Sequence, residues 1–338
     1  RLYLLSCLTE GYEIMVLNSN ITRIRSFIIL GFPGLSPSYH GPVAAVIFIV
    51  YLAILVGNIF ILAFVISEKS LQKPRYLVFC HLALTDLSFG TVTLPKIISK
   101  YWFRNDIISF SGCFTQMFFV HYLGSVMSFM LLVMALDRFI AICVPLRYPV
   151  LITNNIILAL CGCAWFIPLP LMMIIVFQAL SLSYCHSNII PQCYCDHISL
   201  TNQACGNDLK TVQVIALCTA MFCLLVPLAF VLISYISVIT VILKMSNSAG
   251  RSRTLATCTP QIFITCLFYL PRCFVYVANT VGFNFSIDVR ILLILLYSLL
   301  PAAVNPIIYC FKTQDIKHTL MKKIKTAKIG VELKIWTH

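Results

Sequence analysis

Four ionisable side chains stand inside long apolar runs or at their edges, where an unpaired charge is costly. Asp86 lies within "LALTDLSF", Arg272 follows Pro271 in "FYLPRCF", and Asp137 and Arg138 adjoin the run "LLVMAL". In a bilayer such a charge must find a counter-charge, water or carbonyl oxygens, and residues that keep it usually serve function. A membrane enzyme would need clustered carboxylates or metal ligands, whereas Asp86 stands alone in its run. These residues indicate recognition and switching, and we predict no catalysis.

The elements that must hold these charges are membrane helices, because the composition excludes an ordinary soluble protein. Of 338 residues, 60% are apolar and 10% are charged, with a mean hydropathy of +0.95; about a quarter of residues are charged in soluble domains. A helix needs roughly 20 apolar residues to cross the hydrocarbon core, and the runs lack the alternation of a transmembrane β-barrel. The sequence predicts an all-α membrane protein, a seven-transmembrane helix bundle. The predicted spans are residues 41–67, 76–98, 112–136, 155–179, 211–243, 254–281 and 289–311.

The positive charges predict the orientation of the bundle. The loops after the first, third and fifth runs, together with the C-terminal tail, hold 15 of the 24 lysines and arginines. Because short cytoplasmic loops carry the excess of these residues, the N-terminus is expected outside the cell and the C-terminus inside. A basic inner face beside anionic lipid accounts for the net charge of +13, so we predict membrane lipids and no nucleic acid as its partner.

The regions outside the spans are short. We interpret residues 1–40 as an extracellular segment, of which 1–14 precede Met15 and are not expected in the native protein, and 41–311 as the transmembrane domain. Residues 312–338 form the cytoplasmic end. There Ile316, Leu320 and Ile324 recur at i, i+4 and i+8 among lysines, which predicts a short amphipathic eighth helix on the inner leaflet. A solvated basic tail is an equally good interpretation beyond residue 326.

Cysteines and sequons are consistent with this topology. Most of the 16 cysteines stand singly in apolar runs, and five lie at the predicted outer face, so one is left over after pairing. Asn20 begins the sequon "NIT" and Asn284 begins "NFS", both on the predicted outer side, and Asn20 is the better candidate for glycosylation. The five outer cysteines are Cys113, Cys185, Cys193, Cys195 and Cys205.

A metal site is an alternative interpretation of the outer loop. His186, Cys193, Cys195 and His197 are suitable ligand types. No spacing among them forces tetrahedral geometry, so disulfides are the better interpretation and no metal or other cofactor is predicted.

The stretch "MALDRFIAICVPLRYP" resembles the most characteristic block of vertebrate olfactory receptors, which are rhodopsin-like G-protein-coupled receptors. The resemblance covers nearly all of residues 20–325. "LGFPGL" and "YCDH" look most like the fish-like (class I) branch of the family. The other matching motifs are "GN" at 57–58, "LALTDLSF" at 82–89, Trp165, "SY" at 234–235, "RTLATCTPQ" at 253–261, "FYLP" at 268–271 and "PAAVNPIIY" at 301–309.

The resemblance implies a switch at the inner end of the third helix. Asp137 would hold Arg138 at rest, and Arg138 would be released when the sixth helix swings outward. Arg138 would then meet the C-terminal helix of a stimulatory G protein α subunit, together with Phe139, which stands where the family usually has tyrosine. An interfacial charge pair that merely ends a helix is the simpler alternative.

The resemblance also implies a polar centre and a bend. Asp86 would join Asn58 and Asn305 in a hydrated site that couples the outer pocket to the inner switch. Many relatives bind sodium there, but Met127 stands where olfactory receptors often have a second carboxylate, so sodium is not predicted. The bend would be made by Pro306, which removes a backbone hydrogen bond and lets Tyr309 rearrange toward Tyr235; a plain kinked helix is the alternative.

Two polar stripes at helical spacing point to a ligand cavity. His121, Ser125 and Ser128 follow one face of the third run, and Thr265, Tyr269, Arg272 and Tyr276 follow one face of the sixth. In lipid such faces should look inward.

We expect a small polar odorant bearing a carboxylate, held by Arg272, with Tyr269 relaying the motion. Arg272 could instead snorkel or meet Asp196, and His121 could simply pack with a satisfied ring. Fish-like relatives often carry a basic residue at the position of Thr280, so this sequence departs from the family pattern there. The predicted ligand residues are His121, Gly124, Ser125, Thr219, Tyr269, Arg272, Tyr276 and Ser298.

The family resemblance implies disulfide bonds between Cys113 and Cys195 and between Cys185 and Cys205. Cys193 is then left without a disulfide partner. The resemblance also implies an odorant-activated receptor of the plasma membrane that signals through a stimulatory, olfactory-type heterotrimeric G protein and cyclic AMP. The alternative is a non-olfactory rhodopsin-like receptor for a small metabolite or acid. An aminergic receptor would need an aspartate near Val120, and a transporter would show repeated halves.

Overall fold

Long helices dominate the computed structural model, which describes residues 24–185, 187–281, 283, 285–312 and 316–322. Seven of the helices within those ranges are long and apolar enough to cross a membrane, which confirms the predicted fold class. They are α1 (His40–Ser67), α2 (Pro74–Phe103), α3 (Phe110–Cys143), α4 (Asn154–Leu180, in the two pieces Asn154–Phe166 and Pro168–Leu180), α5 (Leu209–Leu243), α6 (Ser248–Thr280) and α7 (Ile287–Lys312).

The helices run further than the apolar runs that predicted them. α3 continues past Leu136 to Cys143, so Asp137 and Arg138 lie within it and do not end it. Hydropathy marks the edge of the hydrocarbon, but a helix ends only where the backbone must change course. Here that point is Val144, because the residue before a proline, Pro145, is disfavoured in the helical conformation. The interpretation of the charge pair as a simple helix end is therefore wrong.

Polar groups inside the bundle bind helices to one another. In α4, the Trp165 indole donates a hydrogen bond to Nδ1 of His81 on α2 at 3.2 Å. The Tyr122 hydroxyl on α3 donates to the Trp165 carbonyl at 2.9 Å. Such bonds contribute to helix association in lipid, where burying apolar surface gives no driving force between helices.

A small sheet lies over the outer end of the bundle and was not predicted. Its strands are β1 (Ser26–Ile29), β2 (Ile107–Ser109) and β4 (Ile189–Ile190), in the order β2-β1-β4, and a separate pair joins β3 (Ser183–Tyr184) to β5 (Ala204–Cys205). β1 pairs antiparallel with β2 and parallel with β4. The N-terminal segment thus ties the loop after α2 to the loop after α4.

Aromatic packing fixes this sheet on the bundle. Phe27 of β1 is fully buried, and its ring lies 5.7 Å from that of Phe110 and 5.8 Å from that of Tyr184. Each aromatic pair adds roughly 0.5–1.5 kcal/mol beyond the area that it buries. The sheet therefore belongs to the folded core of the outer face.

Two disulfides hold the loop between α4 and α5. Cys113 at the start of α3 is bonded to Cys195, with 5.4 Å between Cα atoms, and Cys185 is joined to Cys205 across β3 and β5, with 6.0 Å between Cα atoms. Cys193 is a buried free thiol. The first bond draws the loop over the outer end of α3, where it becomes a wall of the cavity described below.

The inner end carries a short helix at residues 316–322. Ile316 is buried in the main apolar cluster and Leu320 packs against it, so this helix turns apolar side chains toward the bundle. Its position on the inner leaflet stays a prediction. Ile324, Asn20, His186 and Asn284 lie outside the described residues, so the roles expected of them stay predictions.

Candidate functional site

A cavity of about 210 Å³ opens between the outer halves of α3, α5, α6 and α7, beneath the loop that follows α4. Its walls are mostly apolar, with a few convergent polar groups, which is the usual composition of a small-molecule site. Five of the predicted ligand residues line it. They are His121, Gly124, Ser125, Arg272 and Ser298.

Arg272 brings a positive charge to the cavity wall. Its Nη1 donates hydrogen bonds to the carbonyl oxygens of Phe268 at 2.9 Å and Tyr297 at 3.2 Å. The guanidinium carbon lies 3.9 Å from the Phe268 ring centre and 4.8 Å from that of Tyr297. Carbonyl oxygens and aromatic faces thus stabilise the cation in the bundle.

The two predicted polar stripes meet below Arg272. The hydroxyls of Ser128 on α3 and Tyr269 on α6 lie 2.7 Å apart, and both residues are almost fully buried. Ser128 lines the cavity, whereas the Tyr269 side chain stands behind it. Tyr269 is therefore connected to the cavity wall through Ser128.

Thr219 and Tyr276 are two further residues that were predicted to bind the ligand. Thr219 on α5 donates its hydroxyl to the carbonyl of Ile215 at 2.8 Å and is not part of the cavity lining. The backbone of Tyr276 continues α6, but its side chain, like that of Thr280, lies outside the part of the chain that the structure describes. Their contribution to ligand binding stays a prediction.

The outer wall of the cavity is the loop motif "YCDH". Asp196 and His197 both line the cavity, and the His197 backbone N–H donates to Nε2 of His121 at 3.2 Å. Asp196 caps the short helix His197–Thr201 by accepting the Ser199 N–H at 3.2 Å. Burial lowers the pKa of His197 to about 4, so its imidazole is neutral at physiological pH. Burial also raises the pKa of the Asp196 carboxyl, and the hydrogen bonds from Ser199 oppose this rise.

Asp196 and His197 were not predicted as ligand residues. The sequence marked "YCDH" only as a family feature, because no periodicity shows where a long loop folds back. Arg290 at the start of α7 was also missed, although a charged residue beside an apolar run was the available signal.

A polar centre lies deeper in the bundle. Asn305 on α7 donates to Oδ2 of Asp86 on α2 at 2.9 Å. Asn58 on α1 donates to the carbonyls of Ile54 at 2.9 Å and Ala302 at 3.0 Å. Since all three polar side chains are buried, these bonds connect α1, α2 and α7 below the cavity.

At the inner end, Asp137 and Arg138 form a buried ion pair. Arg138 Nε donates to Oδ2 of Asp137 at 3.0 Å, and its Nη2 donates to the same oxygen. The Tyr148 hydroxyl, from the loop after α3, donates to Oδ1 at 2.9 Å. Both carboxylate oxygens are therefore engaged. Phe139 packs against Val238 of α5 and its neighbours.

Known proteins resemble this chain over most of its length. The family model described as "Olfactory receptor" matches residues 47–327. The chain belongs to the olfactory receptor family. It is 34% identical to human olfactory receptor 51E2 over 306 residues, which cover 89% of this chain and 93% of the relative. It is 33% identical to human olfactory receptor 52N2, covering 93% and 97% of the two chains, and 36% identical to human olfactory receptor 52N5, covering 88% and 92%.

These matches confirm the resemblance to olfactory receptors. They also confirm the fish-like branch, because relatives such as receptors 51E2 and 52N2 fit that branch. The chain is a multi-pass membrane receptor of the odorant-sensing G-protein-coupled kind and not an enzyme.

In this olfactory receptor, the two tyrosines that were predicted to approach each other occupy separate clusters. Tyr309 is fully buried and stacks on Phe79 of α2, with 4.3 Å between ring centres. Tyr235 on α5 packs against Ala135 and Val231. Pro306, one turn before Tyr309, lies against Gly57 of α1. An approach of Tyr309 to Tyr235 would thus require Tyr309 to leave Phe79.

Proposed function

We propose that this olfactory receptor binds a small polar odorant with a carboxylate group in the outer cavity, and that Arg272 holds the carboxylate. The observation that carries the proposal is the guanidinium of Arg272 in the wall of a mostly apolar cavity. A charge-assisted pair with a carboxylate is roughly twice as strong as a neutral hydrogen bond. The small volume of the cavity favours short acids.

The signal would travel along α6. Arg272 and Tyr269 lie on adjacent turns of this helix, and Tyr269 bonds to Ser128 of α3. An anion on Arg272 would favour a different position of α6 relative to α3, because the ligand binds one arrangement better than the other. The outward swing of α6 would then release Arg138 from Asp137 at the inner end.

We further propose that Arg138 and Phe139 receive a stimulatory, olfactory-type G protein and that the response is a rise in cyclic AMP. The basic loops and tail support a cytoplasmic inner face beside anionic lipid. The same asymmetry supports an extracellular N-terminus at the plasma membrane, where Asn20 would be accessible for glycosylation. Family membership supports odorant and G-protein partners in general.

Replacing Arg272 by glutamine tests the ligand proposal. Hydrogen bonds to charged groups are worth about 1.5–3 kcal/mol, so the potency of short carboxylic acids should fall about 10–100-fold. The measurement is a cyclic-AMP dose–response with butanoic, hexanoic and octanoic acid in cells that express an olfactory-type G protein. Surface labelling of the receptor corrects for its abundance.

The matched control is Arg25→Gln, which removes an exposed arginine of the outer segment outside the cavity. It should leave potency unchanged. Unaltered potency of the best acid agonist in Arg272→Gln would contradict the proposal.

A further inference from the structure

Three buried polar atoms at the outer wall of the cavity have no hydrogen-bond partner among the described residues. They are Oδ1 of Asp196 and both ring nitrogens of His197. His197 is 3% exposed, and both residues line the cavity. Leaving such an atom unpaired costs about 1–3 kcal/mol, and buried polar groups without partners are uncommon in folded proteins. The cost indicates a partner that is not part of the bundle.

The neighbouring contacts leave these two side chains available. Asp196 uses Oδ2 for the helix cap on Ser199, so Oδ1 can bond elsewhere without loss of the cap. His197 contributes its backbone N–H to His121, which leaves its imidazole uncommitted. In this conformation the three atoms are covered. Turning the His197 ring toward the cavity would break no hydrogen bond that its ring makes to the described residues, whereas Asp196 must present Oδ1 while Oδ2 keeps the cap on Ser199.

Together the two side chains complement a hydroxyl group. A neutral imidazole offers one N–H donor and one acceptor, and a carboxylate offers acceptors only. A ligand hydroxyl can donate to Asp196 Oδ1 and accept from the His197 ring. An ammonium group fits less well, because the same cavity is lined by Arg272 and Arg290, and two guanidiniums outweigh one carboxylate.

We propose that Asp196 and His197 form a hydroxyl-binding subsite, so that the receptor prefers short hydroxylated acids to the same acids without the hydroxyl. This inference rests on the proposed function, since Arg272 would hold the acid group in the same cavity. It adds a second polar anchor on the loop, across the cavity from α6, and defines the ligand class as bifunctional.

The test compares matched ligand pairs in the wild-type receptor. Pentanoic, hexanoic and heptanoic acid are each measured against the acids that carry a hydroxyl at the third or the terminal carbon, by cyclic-AMP dose–response. At least one hydroxylated acid should be about tenfold more potent than its partner, since one charge-assisted hydrogen bond gives about that ratio. If no hydroxylated compound exceeds its partner, the proposal is overturned without any variant.

Variants then test whether Asp196 and His197 cause the preference for hydroxylated acids. Asp196→Asn keeps a carbonyl oxygen for the Ser199 cap but replaces the acceptor at Oδ1 by a donor, and His197→Phe removes both ring nitrogens while keeping an aromatic ring. Each should abolish the preference, measured as the potency ratio of a hydroxylated acid to its plain partner in the same variant, whatever the absolute potency of the plain acid. Asp208→Asn, in the exposed part of the same loop, is the control and should retain the preference. If the preference persists in both subsite variants at normal surface abundance, the subsite is wrong.

A further comparison distinguishes a failure of carboxylate binding by Arg272 from a failure of the hydroxyl subsite. Arg272→Gln should weaken both members of every pair and leave their ratio unchanged. The methyl esters of the same compounds, which lack the carboxylate charge, repeat the comparison of hydroxylated and plain ligands. Should Arg272→Gln have no effect, the ratio among the esters still decides for or against the hydroxyl subsite. If no pair of either series activates the receptor, both proposals fall.

Discussion

At the scale of single residues, the contact between Ser128 and Tyr269 joins the cavity wall on α3 to α6. The two hydroxyls are 2.7 Å apart, and the Tyr269 hydroxyl also lies 3.3 Å from the Ser128 carbonyl. A buried pair of this kind contributes about 1 kcal/mol relative to solvated partners. In the proposed mechanism it stabilises the arrangement in which Arg138 is held by Asp137.

Removing this contact should raise basal activity. Tyr269→Phe keeps the ring and deletes the hydroxyl, so a loss of about 1 kcal/mol shifts the balance toward the active state about fivefold. Basal cyclic AMP per receptor at the surface is the measurement. Ser128→Ala should give a similar rise, and the double variant should add little to either, because both remove one shared bond.

Tyr39→Phe is the matched control, because Tyr39 is exposed and outside the cavity lining; basal activity should not change. Basal activity at or below the wild-type level in Tyr269→Phe would show that the bond belongs to the active arrangement instead.

At the scale of elements, the sequence predicted the spans well because lipid leaves little choice. A backbone in hydrocarbon must satisfy its own hydrogen bonds, so each long apolar run becomes a helix. The ends were less predictable, as α3 shows by continuing to Cys143. The sheet of β1, β2 and β4 escaped prediction because strands of two to four residues are too short to show alternation.

The residues of the candidate site were also predictable only in part. Helical spacing predicted that the stripes containing Ser128 and Tyr269 would both look into the bundle, since residues on one helix face share a direction. It did not predict that these two hydroxyls would meet. Asp196 and His197 reach the cavity through a loop whose position depends on the bond between Cys113 and Cys195. A long-range link of this kind has no local pattern, so the sequence could suggest the pairing only through the family.

Close packing of α1 on α7 gives a prediction about stability. A Cβ atom placed on Gly57 would lie 3.0 Å from two ring atoms of Pro306, and neither the ring nor the two helix backbones give way easily. Gly57→Ala should therefore destabilise the receptor by about 1–3 kcal/mol, the usual cost of overpacking. Thermal unfolding of the purified receptor in detergent and its surface abundance measure the effect.

Gly162→Ala in α4 is the matched control, because a Cβ there meets nothing within 4 Å. It should be neutral or slightly stabilising, since alanine favours helix more than glycine does. Equal melting temperatures for the two variants would contradict the packing argument.

At the scale of the whole molecule, the cavity and the ion pair are two sites on one bundle, and linkage relates them. If an anion at Arg272 favours release of Arg138, then release of Arg138 must favour binding of the anion by the same factor. The polar centre of Asn58, Asp86 and Asn305 lies between the two sites and connects helices that would shift together. Such reciprocity separates a coupled switch from two independent local effects.

Asp137→Asn tests this reciprocity. The change removes the carboxylate that holds Arg138, and the loss of a bond to a charged group, about 1.5–3 kcal/mol, should raise basal cyclic AMP about tenfold or more, up to the maximal response. The same variant should respond to lower concentrations of an acid agonist. Tyr148→Phe deletes only the bond to Oδ1 and should produce both changes to a smaller extent. Arg272→Gln should lower potency without raising basal activity, because it acts on the ligand alone. A rise in basal activity without a gain in potency would mean that the inner pair does not communicate with the cavity.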